Sequence, residues 1–290
     1  MNLISIYQKF PDQEACIEHL ERLRWADKPQ CPHCKSERVA RKGEADRIGR
    51  WNCHSCHASF NVLSKTIMQK TRVPLQKWFL AIGLMINAKK SLSSCQLARD
   101  LHITQPTALL MQYKIRAAMV SDQQPLLCGI VEADETYIGG KPRKSNNRKP
   151  PNSPRGRGTK KVPVLGIVER NGQVRAKVAG NLTSKNIVRF IRKNVDNLNS
   201  LLITDEFKGY SPLQKEIAHT VINHQRQYVD GMVHTNTIEG FWSLLKRSWM
   251  GSHHHYSKKW MPLYIAEQCW KYNNRRNKEA FNDFLQGVVS

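Results

Sequence analysis

Apolar residues along the first 120 positions recur with a helical period. Pro11 and Asp12 start a short helix in which Cys16, Leu20 and Leu23 form one apolar face, which places Cys16 in a core. A second helix opens at Pro74 and turns Leu75, Trp78, Phe79, Ile82, Met85 and Ile86 to one side. Residues 94–119 divide into two helices around a tight turn, with Leu97, Ala98 and Leu101 in the first, Ile103 at the turn, and Ala108 and Met111 in the second. Beyond Pro125 the period falls to two. Strand-like runs at 129–138, 162–169, 173–178 and 201–204 alternate with turns such as Asn171-Gly172, and one helix at 184–195 interrupts them. Helical spacing returns after Thr235, through Trp249, and again from Trp260 to Tyr272. The pattern predicts an α+β multidomain chain without internal repeats.

A cysteine-rich segment separates the first two helices. Cys31-Pro-His-Cys34 and Cys53-His-Ser-Cys56 form two C-x2-C knuckles, and such knuckles place two thiolates each on one tetrahedral Zn2+. Four thiolates leave no open position for water, so one zinc is expected to hold the fold rather than perform chemistry. Phe60 is placed to pack beneath the second knuckle, and His33, His54 and His57 are left to the surface.

Charge narrows the range of partners. Lys and Arg number 46 against 23 Asp and Glu, a formal charge of +23 that argues for a polyanion, nucleic acid first. Residues 141–161 hold nine of these cations and no acid, together with four prolines and two glycines, and read as a flexible basic loop. Its Arg143, Lys144, Arg155 and Arg157 are candidate DNA contacts. In the paired helices Thr104 caps the second and Pro106 fits its first turn, so Gln105 and Thr107 are offered to a major groove, as in a helix-turn-helix. The longest mainly apolar stretch, 78–86, is too short to span a bilayer, and the N-terminus lacks the pattern of an export signal. A cytoplasmic protein without a membrane partner is expected.

Acids inside apolar runs carry the candidate chemistry. Val131-Glu-Ala-Asp134 and Leu201-Leu-Ile-Thr-Asp205 each set a carboxylate in or at the end of a strand, and Glu239 lies on the helical segment after Thr235. Glu132 and Asp134 share a strand face, so either points toward a site there. Two divalent cations held by hard carboxylates bind the attacking and leaving oxygens of a phosphodiester, and Mg2+ or Mn2+ suits that task. Asp134, Asp205 and Glu239 are the candidate ligands and catalytic acids, with Asn236 as the alternative third ligand. Lys246, seven residues after Glu239, shares its helix face and offers an ammonium to a DNA phosphate, with Arg247 beside it. Glu132, Glu135 and Glu206 are read as supporting or surface groups. Trp242, Trp249, Trp260 and Trp270 are read mostly as core.

With these motifs the chain resembles the ISXO2-like, or IS1595-type, insertion-sequence transposases of the DDE superfamily. The resemblance is carried by the two knuckles, 131–140, 204–210, and 234–239 through Lys246. It implies an RNase H-like mixed α/β catalytic core with Asp134 on the first, central strand, Asp205 on the fourth and Glu239 on a later helix. It implies double-stranded DNA as partner, at transposon terminal repeats and at target sites, bound by a dimer or larger assembly in the bacterial nucleoid. The expected activity is metal-dependent strand cleavage and strand transfer. A zinc-ribbon and helix-turn-helix regulator without catalysis and a nuclease that never joins are the alternatives. The expected organisation is an N-terminal helical segment (1–28), a zinc ribbon (29–62), a helix-turn-helix region (70–122), a catalytic domain (128–275) and a C-terminal tail (276–290).

Overall fold

The computed structural model describes residues 1–26, 28–43, 49–120, 125–140, 161–222 and 233–290. The chain forms two compact units, Met1–Met119 with Arg276–Ser290, and Val120–Arg275. Among the described residues no helix is long and apolar enough to cross a membrane.

The first unit opens with helices α1 (Leu3–Lys9) and α2 (Gln13–Trp25). Asp12 starts α2 as its sequence requires, its carboxylate accepting from Ala15 N at 2.9 Å. Three short antiparallel strands follow, β1 (Val39–Arg41), β2 (Arg50–Cys53) and β3 (Ser59–Asn61), in the order β1-β2-β3. Cys31, Cys53 and Phe60 are buried together against Val39, Trp51 and Trp25 of α2. Helices α3 (Leu75–Asn87), α4 (Ser94–Leu101) and α5 (Gln105–Ala118) complete the N-terminal run. Leu97, Ala98, Leu101, Ala108 and Met111 are buried, as their spacing predicts. Ser93 caps α4 and Thr104 caps α5, while His102 turns the chain between them at φ 47° and ψ 56°. That left-handed conformation is commonest for glycine, and here an imidazole-bearing residue adopts it.

The second unit is built on a five-stranded sheet of β4 (Leu127–Ile138), β5 (Val162–Glu169), β6 (Val174–Val178), β7 (Val195–Thr204) and β8 (Ala218–Val221), with helices α6 (Ser184–Asn194), α7 (Asn236–Arg247) and α8 (Met261–Asn273). The order is β6-β5-β4-β7-β8, with β4–β5 and β5–β6 antiparallel and β4–β7 and β7–β8 parallel. A third-second-first-fourth-fifth sheet with only the second strand reversed is the RNase H-like arrangement. Alternation along β4 divides the faces. Val131 and Ala133 join Ile187, Val188, Phe190 and Ile191 of α6 in one core, and Glu132 and Asp134 turn to the opposite face, where α7 packs. Asn171, at φ 62°, makes the expected turn between β5 and β6.

Three features depart from the sequence pattern. Strand β7 begins at Val195, not near 201, because Val195 pairs with Leu127 across an irregularity in β4 and so carries the polar stretch 196–200 into the strand. Strand β8 has only four residues and exists through pairing with β7. Residues 276–290 do not trail away as a tail. They include helix α9 (Ala280–Val289), which belongs to the first unit, where Phe281 lies 5.9 Å from Phe79 and 6.3 Å from Phe10, ring centre to ring centre.

Candidate functional site

The cysteine cluster is assembled by two hairpin turns. Cys31 Sγ lies 3.7 Å from Cys56 Sγ, and Cys34 Sγ lies 3.5 Å from Cys53 Sγ. All four sulfurs fall within 4.8 Å of one another. A tetrahedron with Zn–S bonds of about 2.3 Å has an edge of about 3.8 Å, so the four cysteines fit one zinc ion. The backbone N–H groups of Cys56 and Ser55 bring the Cys53 thiol down to about 6, whereas burial and the neighbouring sulfurs raise Cys56 to about 12 and also raise Cys34, as expected where thiolates crowd together, a repulsion that a shared cation offsets.

The acids of the second unit come together differently. Ala133 is the register partner of Thr204 across the parallel pair β4–β7, so Asp134 on β4 and Asp205, the first residue past the end of β7, follow at matched positions. Asp134 Oδ1 accepts from Glu135 N at 2.7 Å and its Oδ2 from Trp242 Nε1 at 2.9 Å. Asp205 Oδ1 accepts from Phe207 N at 3.0 Å. Burial, then the charges of Glu135 and Asp205, raise the Asp134 carboxyl to about 7 against the opposing pull of its two donors. Tyr210, buried and donating to Glu135 Oε2 at 3.2 Å, is pushed well above its ordinary value by burial and by the same three carboxylates. Oxygen-only donors that repel one another suit a hard dication, whose charge favours the ionised form of each.

Helix α7 brings the rest. Ile238, Phe241, Trp242 and Leu245 face inward, whereas Asn236, Glu239, Lys246 and Arg247 are exposed on the other side. Glu239 Oε1 accepts from Thr235 Oγ1 at 3.2 Å. Among the described residues the cysteines are the sole group of three or more such side chains gathered at metal distance. Asp134 and Asp205 are therefore juxtaposed, while Glu239 stands on a helix tied to Asp134 through Trp242 without closing on the pair.

Two neighbours of Asp134 have tasks that the sequence reading did not assign. The Trp242 indole, read as core packing, is 3% exposed and also hydrogen-bonds Asp134. Gly166, the register partner of Asp134, makes room for it: a Cβ there would fall 2.6 Å from Trp242 Cζ2 and closer still to Cη2. Glycine inside a strand signals such close approach, which was the available clue. Glu132, read as a supporting or surface group, is completely buried.

The DNA candidates spread over both units. Gln105 is exposed at the start of α5 and donates to Ser94 Oγ at 2.8 Å, and Thr107 is half-buried with its hydroxyl 2.8 Å from that of Thr104. Arg143, Lys144, Arg155 and Arg157 lie outside the described residues.

Comparison with known families decides the kinship. The ISXO2-like transposase domain matches residues 126–273, just over half of the chain. The chain belongs to this family. The transposase zinc-ribbon domain matches residues 11–59, so in this transposase family α2 and the knuckles count as one module. An uncharacterized protein in transposable element ISH50 of Halobacterium salinarum is 29% identical, over 97% of this chain and 98% of that protein. Among solved structures, the Mos1 strand transfer complex (TM-score 0.30, 11% identity, 73% of this chain and 74% of that one) is similar. So is a pre-cleavage Mos1 transpososome (TM-score 0.26, 12% identity, 72% and 78%). The RNase H-like assignment of this transposase rests on strand order and not on those two likenesses.

Proposed function

We propose that this protein binds the ends of an insertion sequence and catalyses metal-dependent DNA strand cleavage and strand transfer. The observation that carries the proposal is the placement of Asp134 on β4 beside Asp205, which follows directly on the end of the adjacent parallel strand β7, with α7 anchored on Asp134. Two in-line displacements follow from one site. In the first, a water oxygen bonds to the phosphorus at the element's end and the P–O3′ bond breaks, leaving a free 3′ hydroxyl. In the second, that 3′ oxygen bonds to a target phosphorus and the target's own P–O3′ bond breaks.

Asp134, Asp205 and Glu239 are assigned as ligands of two Mg2+ or Mn2+ ions. When bound, those cations lower the pKa of the attacking oxygen and offset charge on the leaving one. Glu239 is preferred to Asn236 because its charge offsets a dication better. Trp242 holds Asp134 Oδ2 and the Glu135 N–H holds Oδ1, and together they fix the orientation of the carboxylate on β4. Lys246 and Arg247 are assigned to backbone phosphates, and the exposed start of α5 and the ribbon to the terminal repeat. Joining two ends in one event calls for a dimer or larger assembly on DNA.

The test incubates the protein with duplex carrying the element's terminal sequence, with and without Mg2+, and follows nicking and joining on a sequencing gel. Asp134→Asn and Asp205→Asn are expected to lower both activities by at least about 10³-fold while retaining DNA affinity. Nicking without joining identifies a nuclease. Binding with no metal-dependent nicking identifies a regulator and overturns the proposal.

A further inference from the structure

Glu132 lies two residues before Asp134 on the same face of β4, and its carboxylate is completely buried. Its hydrogen bonds gather at the start of α7 and at the end of β5. Oε2 accepts from Thr237 N at 2.8 Å and from Ile238 N at 3.0 Å. Oε1 accepts from Thr237 Oγ1 at 2.8 Å and from Arg170 Nε at 2.7 Å, and lies 3.4 Å from His234 Nδ1. Arg170 in turn donates to His234 O at 2.9 Å, which clamps the chain just before the helix.

A helix start leaves its first N–H groups without internal partners, and a side chain at the preceding residue ordinarily satisfies one of them. Thr235 does not do so here: its side chain makes no capping bond and donates to Glu239 instead. The first turn of α7 is capped by a carboxylate 105 residues earlier in the chain. Negative charge at that end also suits the helix dipole.

The attachment has two points. Glu132 grips Thr237 and Ile238, and Asp134 receives Trp242. Two residues of strand advance about 6.7 Å and four to five residues of helix about 6–7.5 Å, so the two grips are commensurate and α7 runs alongside β4 in a single register. A slip of one helix residue breaks both. Buried ion pairs add little net stability over apolar packing of the same volume, and a buried polar group can instead specify register.

We infer that Glu132 is a positioning residue that sets the register of α7 on β4 and thereby fixes Trp242 against Asp134 and the height at which Glu239 and Lys246 stand beside the Asp134–Asp205 pair. Its effect on activity rests on the catalytic reading of α7 proposed above. The register itself does not.

The experiment uses the full chain and three variants, with Glu239→Gln as the reference for the catalytic reading of α7. Glu132→Gln turns an N–H2 toward donors that need an acceptor. Amide exchange at Thr237 and Ile238 is expected to accelerate about tenfold or more. The Trp242 indole N–H resonance should shift, and single-turnover cleavage at saturating DNA should fall roughly 10²-fold with little change in DNA Kd, as for a misplaced group. Thr237→Val removes one donor alone and is expected to move each readout in the same direction by a few-fold; it carries the test if the first variant does not fold. Unchanged exchange at 237–238 and an unchanged indole signal overturn the inference. Faster exchange with full cleavage, where Glu239→Gln is inactive, overturns the positioning role. Full cleavage by Glu239→Gln instead sinks the catalytic reading of α7 and leaves the exchange data to decide the register.

Discussion

The zinc ribbon and the acidic site proposed in the five-stranded core gather their side chains by opposite routes. The ribbon's four sulfurs come from two tight turns, each supplying two cysteines three positions apart, and the antiparallel pair β1–β2 sets Val39 opposite Cys53. Local geometry suffices, and the sulfurs already stand at zinc spacing. The core's acids come from β4, the end of β7 and α7, and depend on a parallel register, on Gly166 and on a tryptophan. A site made of turns is legible as spacing, whereas a site made of register is stored in packing.

The sharpest way to separate the two regions is to remove zinc. Chelation, or Cys34→Ser, is expected to abolish the ribbon's structure while the five-stranded sheet stays folded. Structural zinc contributes on the order of 10 kcal/mol in isolated ribbons, so the effect should be the largest of those considered. Metal content by mass and amide exchange measured unit by unit would check it, and a ribbon that stays protected without metal would contradict it.

Proton binding provides the next contrast. The Asp134 carboxyl sits at about 7 in the folded chain against 3.8 for the ordinary group, raised first by burial. The folded state therefore holds a proton that the unfolded state has lost between about pH 4 and about 7, and stability must fall as pH rises through that window. The difference amounts to at most about 4 kcal/mol. The Asp134→Asn variant should show a shallower fall of Tm from pH 5 to 8 than the natural chain, and added Mg2+ should flatten the natural chain's own slope. Parallel slopes would show that Asp134 titrates normally.

Gly166→Ala tests whether packing positions the acid. The added methyl must displace the Trp242 ring, at an expected cost of about 1–3 kcal/mol by analogy with overpacked cores. The same change should shift the indole N–H that holds Asp134 and lower cleavage more than DNA binding. Unaltered thermal stability and cleavage would remove glycine's role there.

The smallest effect concerns the exposed side of α7. Replacing Lys246 and Arg247 by Ala should leave stability unchanged and reduce the slope of log Kd against log salt by about 1 for each phosphate that is no longer neutralised. An unchanged slope would place the helix away from the DNA backbone.

Several features followed from local rules. The knuckles, the cap and turn around Thr104 and His102, the hairpin at Asn171, and the apolar faces of α2 to α5 need only neighbours a few positions away, and their residue types announce them. Other features carry no local signal. The four residues of β8 look like any polar connection until β7 pairs with them, and the start of β7 is polar until Leu127 meets Val195. Helix α9 is amphipathic on its own account, but that it returns to Phe10 and Phe79 depends on where the chain's end is carried.

Asp134 and Asp205 stood out because an acid in an apolar run costs too much to be idle, and the same reasoning drew attention to Glu132 without assigning its task. The amino-acid sequence thus determined the metal-binding chemistry of the ribbon, the longer amphipathic helices and most of the sheet's strands, and the two acids worth watching, since each is set by residue type and short-range spacing. Tertiary structure alone decided that Glu132 would cap a helix 105 residues away and that Trp242 would reach Asp134 over a glycine. Those hydrogen bonds exist only once the sheet has fixed its register, because pairing between distant segments is specified by packing and not by neighbours in the chain.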